Sequence, residues 1–259
     1  MKKLLVLFLI LTFNLLSVFQ SNAQYFQNQP LHMVWEFELN PTQLNKIIQV
    51  IKAQNDFYRQ KKYPFANFTY YTQDGYLWYT VTFTKYSDID AIQEIQRDLW
   101  RDNPKQMQEF QAMFEGTYKS MGRKIIVEQP ELSILPNGST TMSTGHQFRF
   151  IEKFYIKHGK EEIFDSLIRR YVALRKKNRI RAPYYTYYPS FHQNLSVAFC
   201  IDELGNSPAE HYSLKERAWE KFGAEGQKLR QDLMQVIEKI ETHVGQADYN
   251  LTYVPSGIN

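Results

Sequence analysis

Leu132-Ser133-Ile134-Leu135-Pro136-Asn137-Gly138 returns 119 positions later as Leu251-Thr252-Tyr253-Val254-Pro255-Ser256-Gly257, with three identities and three similar pairs among seven positions. At the same spacing Pro64 matches Pro183, Trp100 matches Trp219 and Gln108 matches Gln227. With one-residue shifts, Leu77-Tyr79-Val81-Phe83 falls on Leu195-Val197-Phe199-Ile201, and Leu44-Ile47-Ile48-Ile51 on Phe164-Leu167-Ile168-Tyr171. Unrelated stretches of like composition rarely keep order, periodicity and punctuation together, so the chain reads as a tandem duplication.

Each copy carries the same elements. Met33, Trp35, Phe37 and Leu39 alternate as in a strand, and Phe148, Phe150, Phe154 and Ile156 do likewise. Asn40-Pro41 then reads as an N-cap with proline at the first helical position, ahead of an apolar stripe at Leu44, Ile47, Ile48 and Ile51. Thr72-Gln73-Asp74-Gly75 joins two β-rich runs, 65–71 and 76–84, as a hairpin, and 184–188 with 195–201 makes the second. A long helical region spans 87–121, interrupted at Asn103-Pro104; its counterpart starts at Ser207-Pro208 and breaks near Gly223 to Gly226. Residues 125–135 and 249–254 supply the closing strands. The predicted fold class is α+β: two tandem ferredoxin-like βαββαβ repeats, 24–139 and 140–259, packed as a pseudo-symmetric barrel-like module. Two helices cover one face of each sheet, and the twin sheet is the natural lid for the other. Large apolar or aromatic side chains on both faces of one strand (Tyr76 and Trp78 against Leu77 and Tyr79) fit a sheet covered twice.

The order of elements, with Leu99-Trp100-Arg101-Asp102-Asn103-Pro104 inside the second helical region, resembles the dimeric α+β barrel superfamily, in particular antibiotic-biosynthesis monooxygenases and NIPSNAP-like proteins. The resemblance implies two ferredoxin-like units packed sheet to sheet, here as a pseudo-dimer in one chain. It also implies a range of activities, from cofactor-free oxygenases and haem enzymes to members with none, so function has to be argued from the site.

Residues 1–23 combine Lys2 and Lys3, an apolar run from Leu4 to about Leu16, and Ser21 and Ala23 before Gln24. This reads as a signal peptide cleaved near Ala23, which predicts a periplasmic or secreted product that is not transmembrane once processed. Cys200 is the single cysteine, so no intramolecular disulfide is available. Without Lys2 and Lys3, the 31 basic and 27 acidic residues leave an excess of two cations, which argues for no particular partner, and no nucleic-acid partner is expected for an exported protein. With 18 Tyr, 18 Phe and 4 Trp, aromatic rings are the main material for any cleft. Asn67, Asn137, Asn194 and Asn250 open formal glycosylation sequons.

No metal site is expected, because the six histidines show no ligand spacing and no cysteine cluster accompanies them. No cofactor is expected either; haem would need a single axial histidine, for which His211, near the start of a helix, is the candidate, against the plainer reading of an exposed helix-start residue. No G-x-S-x-G elbow or phosphate-cradling loop is present, and Cys200 reads as a small buried side chain. Glu152 shares a strand face with Phe150 and Phe154, where the first copy has Trp35. A carboxylate on an apolar face either finds a partner or marks a site. The aromatic set with Trp78, Tyr185, Tyr187 and His192 is expected to line a cleft between sheet and helices. Seven cations between Arg169 and Arg181 read as a solvated helix end, or as a contact for an anionic surface. The leading functional reading is an extracytoplasmic, non-catalytic module binding a small apolar or aromatic ligand, or a partner. The alternatives are a cofactor-independent monooxygenase or haem-binding enzyme, and a structural or assembly partner without a ligand cavity.

Overall fold

The computed structural model describes residues 29–135, 148–191 and 196–255; residues 1–23, Asn137, His192 and Asn194 lie outside the described residues. The N-terminal half runs β1 (Leu31–Leu39), α1 (Leu44–Gln60), β2 (Asn67–Thr72), β3 (Tyr76–Phe83), α2 (Ser87–Asp102), α3 (Pro104–Phe114) and β4 (Tyr118–Glu128). The C-terminal half runs β5 (Phe148–Ile156), α4 (Glu161–Lys177), β6 (Tyr184–Phe191), β7 (Val197–Asp202), α5 (Pro208–Val236) and β8 (Ile237–Ala247). β1 and β5 share both length and burial pattern, since their alternating apolar residues face the helices. The second helical layer bends in each half by a different device. Proline starts α3 in one, whereas in the other Gly223, at φ 59° and ψ −144°, kinks α5. Asn40 does not cap α1, which begins at Leu44. Its side-chain amide donates instead to the Gly116 carbonyl at 2.6 Å, tying the strand end to the α3–β4 turn.

The eight strands close a barrel in the order β1-β3-β2-β8-β5-β7-β6-β4, with every neighbouring pair antiparallel. Each half contributes its fourth, first, third and second strands in that order, and the halves join at β2–β8 and β4–β6. The β2–β8 seam is close: a Cβ on Gly245 would lie 2.1 Å from the Tyr71 carbonyl oxygen, so only glycine fits there. The β4–β6 seam instead has a bulge beside Ile126, which pairs with Pro189.

Beyond its fourth strand each half makes one 3₁₀ turn, Pro130–Leu132 or Tyr249–Leu251, and then crosses over. Ile134 bridges to Tyr184 at the start of β6, and Tyr253 bridges to Asn67 at the start of β2. Thr186 Oγ1 donates to the Leu132 carbonyl at 2.8 Å, and Thr69 Oγ1 to the Leu251 carbonyl at 3.0 Å. Leu132 packs into the C-terminal core and Leu251 into the N-terminal one. The described parts of the recurring segments, 132–135 and 251–255, therefore close the opposite half, not their own. This corrects the expected closing strands. β4 starts at Tyr118 and β8 occupies 237–247, in stretches whose many charged and exposed residues hide the alternation. Asn67 is corrected as well: it is fully buried and its amide donates to Asn55, so it offers no glycosylation site.

The sheet faces turned away from the helices fill the barrel with Val34, Trp78, Ile151, Tyr185, Tyr187 and Phe199. Charges sit at its ends. At one end Arg149 pairs with Glu203 at 2.8 Å, while His32 touches the half-buried Thr82 at 3.0 Å and Glu128 at 3.5 Å, the four charged or titratable side chains being buried. At the other, the Lys124 ammonium lies 4.8 Å from the ring centres of both Trp78 and Phe199, one from each half, and 2.6 Å from Glu36. Burial depresses its pKa, against the pull of Glu36. Among the described residues no helix is long and apolar enough to cross a membrane.

Candidate functional site

A cleft remains between each sheet and its helices, and the two are unlike. The N-terminal cleft has a volume of about 430 Å³, with Trp35 and Tyr79 on the sheet, Gln54 and Tyr58 on α1, Trp100 on α2 and Phe110 on α3. No Asp, Glu, Lys, Arg or His is among its lining residues. The Gln54 amide donates to the Tyr58 hydroxyl at 3.0 Å. Burial pushes the Tyr58 phenol up to about 12 and that of Tyr79 well above its ordinary value, so neither releases a proton near neutral pH. Trp100 and Met121, 48% and 53% exposed, stand at the mouth.

The C-terminal cleft, of about 260 Å³, places ionisable groups at matching positions. Met33 pairs with Val81 as Phe150 pairs with Asp202, which sets Glu152 in the place of Trp35, Cys200 in that of Tyr79 and Asp202 in that of Val81. The equal bounds of α1 and α4 set Tyr171 for Gln54 and Arg175 for Tyr58, and the spacing of the two tryptophans sets Lys215 for Gln96; this corrects the alignment read from the sequence, since Ile47 and Ile51 match Phe164 and Ile168, not Leu167 and Tyr171, and Tyr79 matches Cys200, not Val197. Lys215 Nζ donates to Glu152 Oε1 at 2.8 Å and lies 5.6 Å from the centre of the Phe150 ring. Burial acts to lower the Lys215 pKa, but Glu152 outweighs it and holds the ammonium firmly protonated. Behind them Arg175 donates to Asp202 at 3.1 Å and to the Ala182 carbonyl at 3.0 Å, with its guanidinium over Tyr171 and Tyr184. Cys200 is pushed up to about 12 by burial and is a thiol.

Of the residues singled out in the sequence, Glu152 lines this cleft, and its partner is a lysine. Trp78, Tyr185 and Tyr187 line neither of these two clefts: strand alternation turns them into the barrel, where Trp78 borders only a space of about 20 Å³, and a strand buried on both faces gives no sequence signal for which face is which. His192 lies outside the described residues. His211 is neither exposed nor part of a cleft lining. Its ring stacks on Phe150 at 4.0 Å, Nδ1 donates to the Leu204 carbonyl at 2.9 Å, and burial lowers its pKa. An axial histidine would have to face a cleft, and among the described residues neither lining includes one, so His211 is not placed to serve as that ligand. Among the described residues no three His, Cys, Asp or Glu side chains are grouped to hold a metal ion. The Arg169–Arg181 run is not a uniform solvated face: Arg175 is buried, and Arg170 and Lys177 pair with Asp232 and Glu225 at 3.4 Å. Lys215 and Trp219 were missed in the sequence; their i,i+4 spacing on α5 was the available clue.

The fold has relatives among solved structures. A protein called "putative monooxygenase" from Lactobacillus acidophilus NCFM superposes with a TM-score of 0.56 at 7% identity, over 88% of this chain and 97% of that one. A protein described in the same words from Fusobacterium nucleatum gives 0.56 at 8% identity, over 85% and 93%. An anthrone oxidase-like protein gives 0.53 at 9%, over 86% and 93%. The fold is that of the dimeric α+β barrels. Identities this low show the fold alone. No family model matches the sequence, and no curated protein is similar to it.

Proposed function

We propose that the N-terminal cleft holds a small, flat, apolar or aromatic molecule. The lining carries this reading: about 430 Å³ walled largely by aromatic rings, without a charged side chain, and entered past exposed Trp100 and Met121. Two amphipathic groups, Gln54 and Tyr58, supply the polar contacts that orient such a ligand. N-phenyl-1-naphthylamine, a neutral probe whose emission rises in apolar surroundings, tests it directly. Gln111→Trp, an exposed lining position, plugs the cleft; probe affinity then falls at least about tenfold at an unchanged melting temperature. Undiminished affinity in that variant rejects the reading.

This module is proposed to act outside the cytoplasm after removal of residues 1–23, as two tandem ferredoxin-like copies, 24–139 and 140–259. The leader sequence, the common strand order of the halves and their reciprocal tails support it. Mass spectrometry of the exported chain should find Gln24 at its start, and an uncleaved cytoplasmic product is the contrary result.

A second reading, cofactor-independent oxygenation, is supported by the fold likeness to proteins called monooxygenase and anthrone oxidase-like. Oxidation of an anthrone begins with loss of a ring methylene proton. One O₂ then converts the methylene to a carbonyl and releases water. The first step needs a base, which the N-terminal lining does not offer and Glu152 does. Oxygen uptake with anthrone that is lost in Glu152→Gln favours this reading; a rate no higher than buffer removes it.

A further inference from the structure

We infer that the C-terminal cleft is a second, separate binding site, for a small aromatic molecule bearing a hydrogen-bond donor beside an acceptor, such as a primary carboxamide. An ammonium has three N–H donors, and Lys215 gives one to Glu152, with no other protein acceptor among the described residues. The Glu152 carboxylate accepts that bond through Oε1, leaving its second oxygen for another donor. Both side chains line the cleft and keep only 20% and 17% of their exposure. A nearly desolvated ion pair is stabilised when its remaining donors and acceptors are satisfied. A group that accepts from Lys215 and donates to Glu152 does both and brings no net charge.

Charge selects against the ionic alternatives. A carboxylate ligand attracted to Lys215 meets Glu152 within hydrogen-bonding distance of it, and an ammonium ligand attracted to Glu152 meets Lys215. The neutral donor–acceptor pair meets neither repulsion. Phe154, Tyr171, Tyr212 and Trp219 wall the space around the pair, which suits a ring, and about 260 Å³ accommodates one or two rings. At the same positions the N-terminal half has Trp35 and Gln96, so the two clefts select different molecules. The inference rests on the C-terminal half alone and is read as binding, so its failure is told apart from that of probe binding in the N-terminal cleft and from that of oxygen uptake at Glu152.

The test is calorimetric titration of the full mature chain with benzamide and with N,N-dimethylbenzamide, which keeps the acceptor and lacks the donor. Benzamide should bind at least about tenfold more tightly, because a site built to pair a donor rejects the analogue without one. Benzoate and benzylamine should both bind more weakly than benzamide. Glu152→Met, which removes the acceptor, should bring the benzamide ratio close to one, Lys215→Met should weaken both amides together, and Gln111→Trp in the other cleft should leave the ratio intact. Equal affinities in the unaltered chain overturn the inference, whatever the variants do. So do stronger binding of benzoate or benzylamine, loss of the ratio in Gln111→Trp, and no binding of benzamide at millimolar concentration.

Discussion

Trp35 and Glu152 occupy one position on the two halves of a single barrel, as do Val81 and Asp202, Tyr58 and Arg175, and Gln96 and Lys215. The N-terminal half fills these positions with uncharged side chains, and the C-terminal half with two ion pairs. Around them the framework is the same. Phe37 matches Phe154, Ile51 matches Ile168, and Ile47 matches Phe164, each of them buried. The fold is held by the apolar residues that seat helices on the sheet, which leaves the cleft positions free to diverge.

The sharpest way to break this contrast is to take one charge from the buried pair. Arg175→Met strands Asp202 in the core and should cost roughly 3–5 kcal/mol in urea unfolding, whereas Tyr58→Phe at the matching position should cost about 1 kcal/mol. Adding Asp202→Val, the residue type found at the matching site, should restore most of the loss. If Arg175→Met costs no more than Tyr58→Phe, the halves are energetically alike. The seams come next. Gly245→Ala pushes a Cβ against the Tyr71 carbonyl and should lower stability by about 2 kcal/mol, while Gly122→Ala, with open space around it on β4, should stay within about 0.5 kcal/mol. Thermal unfolding of both variants decides it.

A weaker asymmetry depends on pH. Burial acts to raise the Glu241 pKa, but hydrogen bonds from Lys239 and Tyr155 together with Lys153 hold it at about 2, below its ordinary 4.5; Gly122 stands at the matching position of β4. A depressed folded-state pKa contributes stability above pH 4.5 that is lost as pH falls through about 2. Glu241→Gln should therefore flatten the stability profile between pH 5 and pH 2, and an unchanged slope removes Glu241 as its source. The smallest effect lies beside the largest. Lys177→Ala breaks an exposed pair with Glu225 two residues from Arg175, and should change stability by less than about 0.5 kcal/mol. A larger loss would mean that this surface is organised as a network.

Local chemistry made much of this architecture legible. The Asp74-Gly75 turn, the Asn103-Pro104 break, the Ser207-Pro208 start and the alternation of β1 and β5 each stand in the structure where their residue types put them. Residues 118–124 and 237–243 were not legible as strands. They run to the barrel mouth, where lysines and glutamates face inward and pair across strands, and a charged interior erases the period-2 signal. Glu152 could be found because a lone carboxylate breaks an apolar face. Its partner was harder to find, since Lys215 arrives from a helix 63 residues later and only its spacing to Trp219 pointed to it. Trp78, Tyr185 and Tyr187 were assigned to the wrong side because both faces of their strands are apolar.

Leu251 and Tyr253 are synthesised after the eight strands, yet they complete the core and the strand edge of the half that is made first. On the ribosome the N-terminal half must therefore remain unfinished until residues 251–253 have emerged, unlike a modular protein whose leading domain matures on its own. A chain stopped at residue 250 would lack the leucine that fills its own beginning, and its loss should be felt some two hundred residues away, at Asn55 and Thr69.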